Sequence, residues 1–233
     1  MLNVKFPDGK SKAVLIGYSG GKDSLAVIDL AVHAGLEVTC FYMYFLPGME
    51  ISDKICSYAE NRWGIRVLQY QHWNISYYLR RAVFRSTAIN VPTLSITDIE
   101  CAVRQDTGLD WVLYGFKSID SLQRRGMMNR WKNNCDFKRC ICAPIKDWNN
   151  TDVLAYLNRK RIMTPVSSFE RRSSGIGLTP LCMEWLRDKF PNDYNLVLKT
   201  FPHAIAQASR AQFIRQWKAD QHKRKCKRNV ITC

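Results

Sequence analysis

The stretch AVLIGYSGGKDSLAVIDLAVHAG, residues 13–35, decides how the chain is read. KAVLIGYS is an apolar run of strand length. From Asp23 to Ala34, Leu25, Ile28, Leu30, Ala31 and Val32 fall largely on one helical face, and Gly35 supplies a stop. Between strand and helix stands Ser19-Gly20-Gly21-Lys22-Asp23-Ser24. Gly20 and Gly21 let the backbone approach a ligand without a side chain in the way. The N–H groups from Gly20 towards Ser24 converge at the positive end of the helix, Lys22 adds a charge, and Ser19 and Ser24 add hydroxyl donors. A plain bend needs fewer anion-binding groups, so the expectation is a phosphate or sulfate site. Asp23 either binds Mg²⁺, orients the loop or stabilises the helix N-terminus. A Walker loop is excluded, because Ile16 stands where its first glycine belongs and Asp23 where its Ser or Thr belongs; the dinucleotide GxGxxG pattern is absent as well.

Outward from this turn, strands and helices alternate. LEVTCFYMYF predicts a second strand, Ser52 to Trp63 a helix ended by Gly64, and IRVLQY a third strand. ISYYLRRAVF predicts a helix, and Thr97 or Asp98 caps another that runs towards Gln105. DWVLYGF and KRCICAPI supply a fourth and fifth strand, and Asn150 or Thr151 caps a helix through DVLAYLNRK. Such repetition implies a mostly parallel sheet with helices on both faces. Beyond Pro165 the texture changes to a turn-rich, basic SSFERRSSGIGLTP, then helical segments from Leu181 to Trp217 interrupted by Pro191 and Pro202. The organisation expected is an α/β domain over 1–165, a helical extension over 166–217 and a basic tail over 218–233.

Composition narrows the partners. The 233 residues are 46% hydrophobic, enough for a substantial core, and 35 Lys and Arg against 20 Asp and Glu give a formal charge of +15. Anionic partners follow, either phosphorylated small molecules or nucleic acid. An odd count of nine cysteines, several inside apolar segments, points to buried thiols in a reducing cytoplasm. No apolar run is long enough to span a membrane, so no membrane partner is expected. There is no CxxC pair, and Cys140-Ile141-Cys142 is too close-spaced for the usual zinc or iron–sulfur unit, which leaves such a cluster only to ligands distant in sequence.

Ser19-Gly20-Gly21-Lys22-Asp23-Ser24 matches in full the SGGxDS motif of the PP-loop ATP pyrophosphatase superfamily, which the chain resembles. Within it, the chain is most similar to the phosphoadenosine phosphosulfate reductase branch, which includes relatives that act in DNA phosphorothioation. LYGFKSIDSLQRRG resembles the Gly-x-Arg-x-x-x-Ser-x-x-Arg segment of that branch through Gly115, Ser121 and Arg124, with Lys117 in place of arginine. APIKDWNNTDVLAYLNRKRI resembles a second segment through Pro144, Trp148, Asp152, Val153 and Tyr156. RSSGIGLTPLC resembles a degenerate Gly-rich, cysteine-containing loop in which Cys182 is the clear thiol. The resemblance covers most of residues 10–190. It implies a five-stranded, mostly parallel α/β sheet, an adenine nucleotide bound at the strand ends, and a loop that takes phosphate or sulfate.

Several positions then become candidates. Lys117, Arg124 and Arg125 follow a predicted strand, where carboxyl-end loops of α/β folds bind ligands; a solvated basic loop is the plain alternative. Gly17, Tyr18, Phe41, Tyr42 and Met43 suit a purine, though each also serves simply to close the sheet. In FLPGMEISD, Glu50 or Asp53 is placed for ribose or metal. Arg171 and Arg172 either close over phosphate or form an exposed patch facing nucleic acid. Trp148 reads as packing and Asp152 as a helix cap.

Three functions remain open. A sulfonucleotide reductase needs a nucleophilic thiolate and a thioredoxin-like electron donor; Cys226, among basic neighbours, is the candidate nucleophile and Cys233 the resolving thiol. The Glu-Cys-Gly-x-x-His-like segment of such reductases is otherwise missing, and the basic tail suits nucleic acid at least as well. The second function is cleavage of ATP at the α-phosphate with Mg²⁺, serving sulfur transfer or nucleic-acid modification. The third is a non-catalytic nucleotide- or nucleic-acid-binding module.

Overall fold

Val14, Leu15 and Ile16 in strand β1 (Ala13–Tyr18) have no solvent exposure, as expected of a strand covered on both faces. In the computed structural model, which describes residues 12–166, 176–211 and 213–217, β1 is followed by α1 (Lys22–His33), β2 (Glu37–Tyr44), α2 (Glu50–Trp63), β3 (Arg66–Gln71) and α3 (Trp73–Arg80). Then come α4 (Ile96–Thr107), β4 (Val112–Leu113), α5 (Leu122–Met128), β5 (Cys135–Asp136), β6 (Ile141–Cys142) and α6 (Asn150–Arg159). The sheet order is β3-β2-β1-β4-β6-β5. β1, β2, β3, β4 and β6 run parallel and correspond to the five expected strands. β5 is an addition at the edge, antiparallel to β6 and too short to carry a periodic signal.

Leu15, Phe41, Val112 and Ile141 pack on one face of the sheet with Ile99 and Val103 of α4. Val14 and Ile16 alternate with Leu15 and therefore face the other side, where α1 lies. A buried carboxylate ties the helices of that side together: Asp29 of α1 accepts hydrogen bonds from Trp63 Nε1 at 3.0 Å and Tyr156 Oη at 2.7 Å. Trp148 packs on Tyr156, their ring centroids 5.3 Å apart.

The caps stand earlier in the chain than the sequence reading places them, at Ser95 instead of Thr97 or Asp98 and at Asn149 instead of Asn150 or Thr151. α4 starts at Ser95, two residues before Thr97, through a reciprocal capping box with Asp98. α6 starts at Asn149 through a like box with Asp152, so Asp152 serves the helix start. α2 ends at Gly64 in the left-handed conformation. Cys135 and Cys142, directly opposite one another across β5 and β6, are joined by a disulfide; they are not among the buried thiols that the cysteine usage suggests.

The described residues fall into two compact units, one of 12–75 and 93–166, the other of 76–92 together with the residues from 176 onward. In the second unit, α7 (Pro180–Lys189) and α8 (Pro191–Thr200) are followed by a 3₁₀ turn at Pro202–Ala204 and by helical residues at 205–211 and 213–217. Pro180, Pro191 and Pro202 each stand at the start of an element, where the missing N–H costs nothing. Segment 76–92 belongs with these helices: Arg85 Nη1 donates to Thr200 O at 2.6 Å, and His203 N donates to Phe84 O. The helix expected over ISYYLRRAVF stops at Arg80, and Ala82 and Phe84 take positive φ. Among the described residues, no helix is long and apolar enough to cross a membrane.

Candidate functional site

The loop after β1 turns on Gly20, whose φ of +70° belongs to the left-handed region. Gly21 is the N-cap of α1 and no side chain caps that end. The first-turn N–H groups of α1 therefore keep their capacity to hold an anion. Ser24 is turned inward: its Oγ donates to Gly21 O at 2.9 Å and lies 3.4 Å from both Ser19 N and Ser19 Oγ. It fixes the loop's shape, while Ser19 is exposed at its mouth.

A chain of charges runs beneath the loop. Lys22 Nζ lies 2.9 Å from Asp23 Oδ2, and Asp23 Oδ1 lies 2.7 Å from Lys117 Nζ. Lys117 Nζ is also 3.2 Å from Asp120 Oδ1, and Asp120 Oδ2 lies 2.8 Å from Arg124 Nη1. Lys22 and Asp23 are thus brought together with Lys117 and Arg124 from more than 90 residues further along, with Asp120 as the joint that the sequence reading missed. The i,i+3 and i,i+4 spacing of Asp120 to Lys117 and Arg124 is the signal that was available. Lys117 is fully buried, so it props the loop from behind instead of facing solvent. Its Nζ and Asp23 Oδ1 are close in charge but make no aligned hydrogen bond. Gly115 is required by the same packing: a Cβ there would sit 2.8 Å from the backbone carbonyl carbon of Asp23.

Next to this chain, Tyr114 and Phe116 stack with centroids 4.5 Å apart, and the Arg124 guanidinium sits 4.6 Å from the Phe116 centroid. Tyr114 Oη donates to buried Glu100 at 2.8 Å; burial first, then the Glu100 charge, pushes the phenol up and keeps it protonated. Ser121 caps α5 by accepting from Arg124 N, and this short helix was not expected from the sequence.

The residues proposed for a purine are mostly inside. Tyr18 and Tyr42 are register partners in β1 and β2, both buried, and Tyr18 Oη donates to Ile55 O at 2.9 Å. Phe41 is in the core beneath α4, Met43 is partly buried beside it, and Gly17 lies against the Tyr114 ring. Asp53 is exposed in the first turn of α2. At the carboxyl end of β3, His72 stacks on Trp73 and burial lowers its pKa; neither was singled out in the sequence.

Two thiols of this unit are withdrawn from attack. Cys40 and Cys56 are buried, and burial pushes both upward, Cys56 to about 12. Cys101 is exposed, and Cys182 is buried in the other unit. With Cys135 and Cys142 joined, their sulfurs are not available as cluster ligands, and among the described residues no group of three or more metal-ligating side chains occurs. Arg171, Arg172, Cys226, Cys233 and the whole basic tail lie outside the described residues.

A family model described as phosphoadenosine phosphosulfate reductase domain matches residues 13–166. No curated protein matches the chain. Solved structures similar to it include the U34-tRNA thiolase NcsA from Methanococcus maripaludis with its 4Fe-4S cluster, at 12% identity and a TM-score of 0.42, covering 88% of this chain and 71% of that one. Another is the NH3-dependent NAD synthetase from Campylobacter jejuni in complex with the nitrate ion, at 13% identity and a TM-score of 0.45, covering 88% of this chain and 86% of that one.

Proposed function

The chain belongs to the phosphoadenosine phosphosulfate reductase domain family, and from that premise we propose that it binds ATP at Ser19–Ser24 and cleaves it at the α-phosphate, passing the adenylyl group to water or an acceptor and releasing pyrophosphate. The observation that carries this reading is the charge chain from Lys22 through Asp23, Lys117 and Asp120 to Arg124 beneath an uncapped helix start. It supplies two partly exposed cations, Lys22 and Arg124, held in place by carboxylates and able to exchange them for phosphate oxygens.

In the reaction, a nucleophilic oxygen forms a bond to the α-phosphorus while the bond from that phosphorus to the bridging oxygen breaks, and the electron pair leaves with pyrophosphate. The N–H groups of Gly21 to Ser24 and the Lys22 ammonium stabilise the charge that grows on the leaving group. Lys117 keeps Asp23, and with it the loop, in register. Asp23 is the carboxylate that would hold a Mg²⁺ ion brought with ATP, and the ion would offset phosphate charge there. Cytoplasmic ATP makes the cytoplasm the compartment of this reading.

The reductase alternative places the chemistry on Cys226 with Cys233 and a thioredoxin-like donor. Two thiols of the loop's own unit give it no support, because burial holds Cys40 and Cys56 in the thiol form. The two readings separate by product. Incubation with Mg²⁺ and α-labelled ATP, with and without an oligonucleotide acceptor, is expected to yield AMP or adenylylated acceptor together with pyrophosphate. Lys22→Ala should lower that yield at least ~100-fold while the melting temperature without nucleotide holds. Sulfite release from an adenosine phosphosulfate, lost in Cys226→Ser, would establish the reductase instead. Failure of ATP and of the phosphosulfates alike to raise the melting temperature would leave only a binding role for other anions.

A further inference from the structure

We propose that the edge of the first unit from α5 through β5 is a docking surface for a polynucleotide, and that this polynucleotide is the acceptor of the ATP chemistry proposed above, on which the second half of the statement rests. Between Leu122 and Arg139 the sequence places Arg124, Arg125, Arg130, Lys132, Lys138 and Arg139 against a single carboxylate, Asp136. Arg124 is paired with Asp120 and Arg139 with Glu100. Arg125, Arg130, Lys132 and Lys138 are exposed, and none of them makes an ion pair among the described residues. Asp136 does not offset them, because Oδ1 accepts from the backbone N–H groups of Lys138 and Arg139, at 3.1 and 3.3 Å, to hold its own turn.

Topology arranges these cations into a line. β6 is parallel to β4 and β1, so its carboxyl end is on the side of the sheet where the Ser19–Ser24 loop emerges. β5 is antiparallel to β6, so its start is on that same side, and Arg130 and Lys132 with it. The hairpin then carries Lys138 and Arg139 to the opposite end of the sheet. Positive charge therefore begins beside the nucleotide loop and leads away from it, which suits a chain of repeated phosphates better than one small anion. Ile119, Leu122 and Phe137 are interspersed along it with exposures of 57%, 81% and 38%, offering apolar surface on which bases can rest. Protection of a bare sheet edge is another use for lysines. It does not account for Arg125, which is on α5, nor for the exposed apolar side chains beside it.

The test uses the full chain and the anisotropy of fluorescein-labelled 20-nucleotide oligo-dT, oligo-U and a 20-base-pair DNA duplex across a salt series. The variant Arg125→Gln/Arg130→Gln/Lys132→Gln is expected to bind its preferred oligonucleotide at least ~10-fold more weakly, with a salt slope shallower by about 2 for a single strand. The three arms identify the kind of polynucleotide. Residues 218–233 are unchanged in that variant, so unaltered affinity and slope would assign binding to the tail and overturn the proposal. Equal competition by polyglutamate would overturn it in favour of an acidic protein. Lys22→Ala should bind the oligonucleotide as the parent does; loss there would mean that the oligonucleotide had occupied the nucleotide loop, and would also overturn it. Surface-dependent binding without pyrophosphate release would refute the ATP reading and leave the docking surface standing.

Discussion

Lys117 Nζ stands 2.7 Å from Asp23 Oδ1, with its side chain 1% exposed. An ammonium so far from water is tolerable only among carboxylates, and Asp23 and Asp120 are those carboxylates. The pair joins the start of α1 to the segment after β4, so the shape of the anion loop depends on a residue that does not face the ligand.

Replacing Lys117 by Met should therefore act on both stability and the loop. Two carboxylates lose their shared cation, which costs about 3 kcal/mol by the behaviour of broken buried pairs. Asp23→Asn alone should cost less, since its carboxylate is partly exposed. The double variant should be more stable than the sum of the two losses predicts by more than ~1 kcal/mol. Urea unfolding of the four proteins measures the coupling, and strict additivity would show that the pair does not interact in solution.

Gly115→Ala tests the same junction sterically. The added Cβ would stand 2.8 Å from the Asp23 backbone, which is not a flexible chain end that can step aside. A loss of about 1–3 kcal/mol is expected from overpacking, together with a smaller ATP-induced rise in melting temperature. Gly20→Ala adds backbone strain of about 1–2 kcal/mol at φ +70°, and its Cβ would press on Ile55, whose side chain can shift. Gly115→Ala should thus impair nucleotide protection no less than Gly20→Ala. Parent-like protection in Gly115→Ala would show that the contact does not govern the loop.

Much of this was legible beforehand because it is local. Five parallel strands announce themselves by apolar runs, and the loop by a glycine pair between hydroxyls and charges. β5 was not legible, since two residues have no period, and its partner β6 holds it as much by Cys135–Cys142 as by pattern. Tyr18 and Tyr42 look available at the ends of strands, yet both are buried, and Tyr18 Oη is tied to Ile55 O in α2. The role of Asp120 depends on Asp23 reaching Lys117 from the other end of the domain, a proximity that exists only after folding. Ser121 has the form of a helix cap, but α5 behind it contains Gly126 and two arginines and offers little apolar repeat.

His72 gives the fold a pH dependence on the acid side. Burial lowers its pKa from the ordinary 6.5, so the unfolded chain takes up this proton first as pH falls. Stability from this site is complete above about pH 6.5 and declines below it, levelling off once the lower folded pKa has been passed. His72→Gln should flatten that part of a stability profile measured by urea midpoints between pH 5 and 8. A profile equally steep in the variant would trace the dependence to other groups.

Thiol labelling with iodoacetamide at pH 8, followed by peptide mass analysis, separates the cysteines by their surroundings. Among the described cysteines, Cys101 is exposed and should be modified first. Cys56 is buried and its pKa is pushed up to about 12, chiefly by that burial and further by Glu60 and Asp53, so little thiolate forms and access is blocked; Cys40 shares both handicaps. Both should label only on unfolding. Cys135 and Cys142 should resist even in denaturant and appear as one linked peptide pair until a reductant is added. That link also decides the metal question at this edge, because two sulfurs bound to each other cannot ligate a cluster. Recovery of Cys135 and Cys142 as alkylated thiols without reduction would remove the disulfide and reopen both positions to metal.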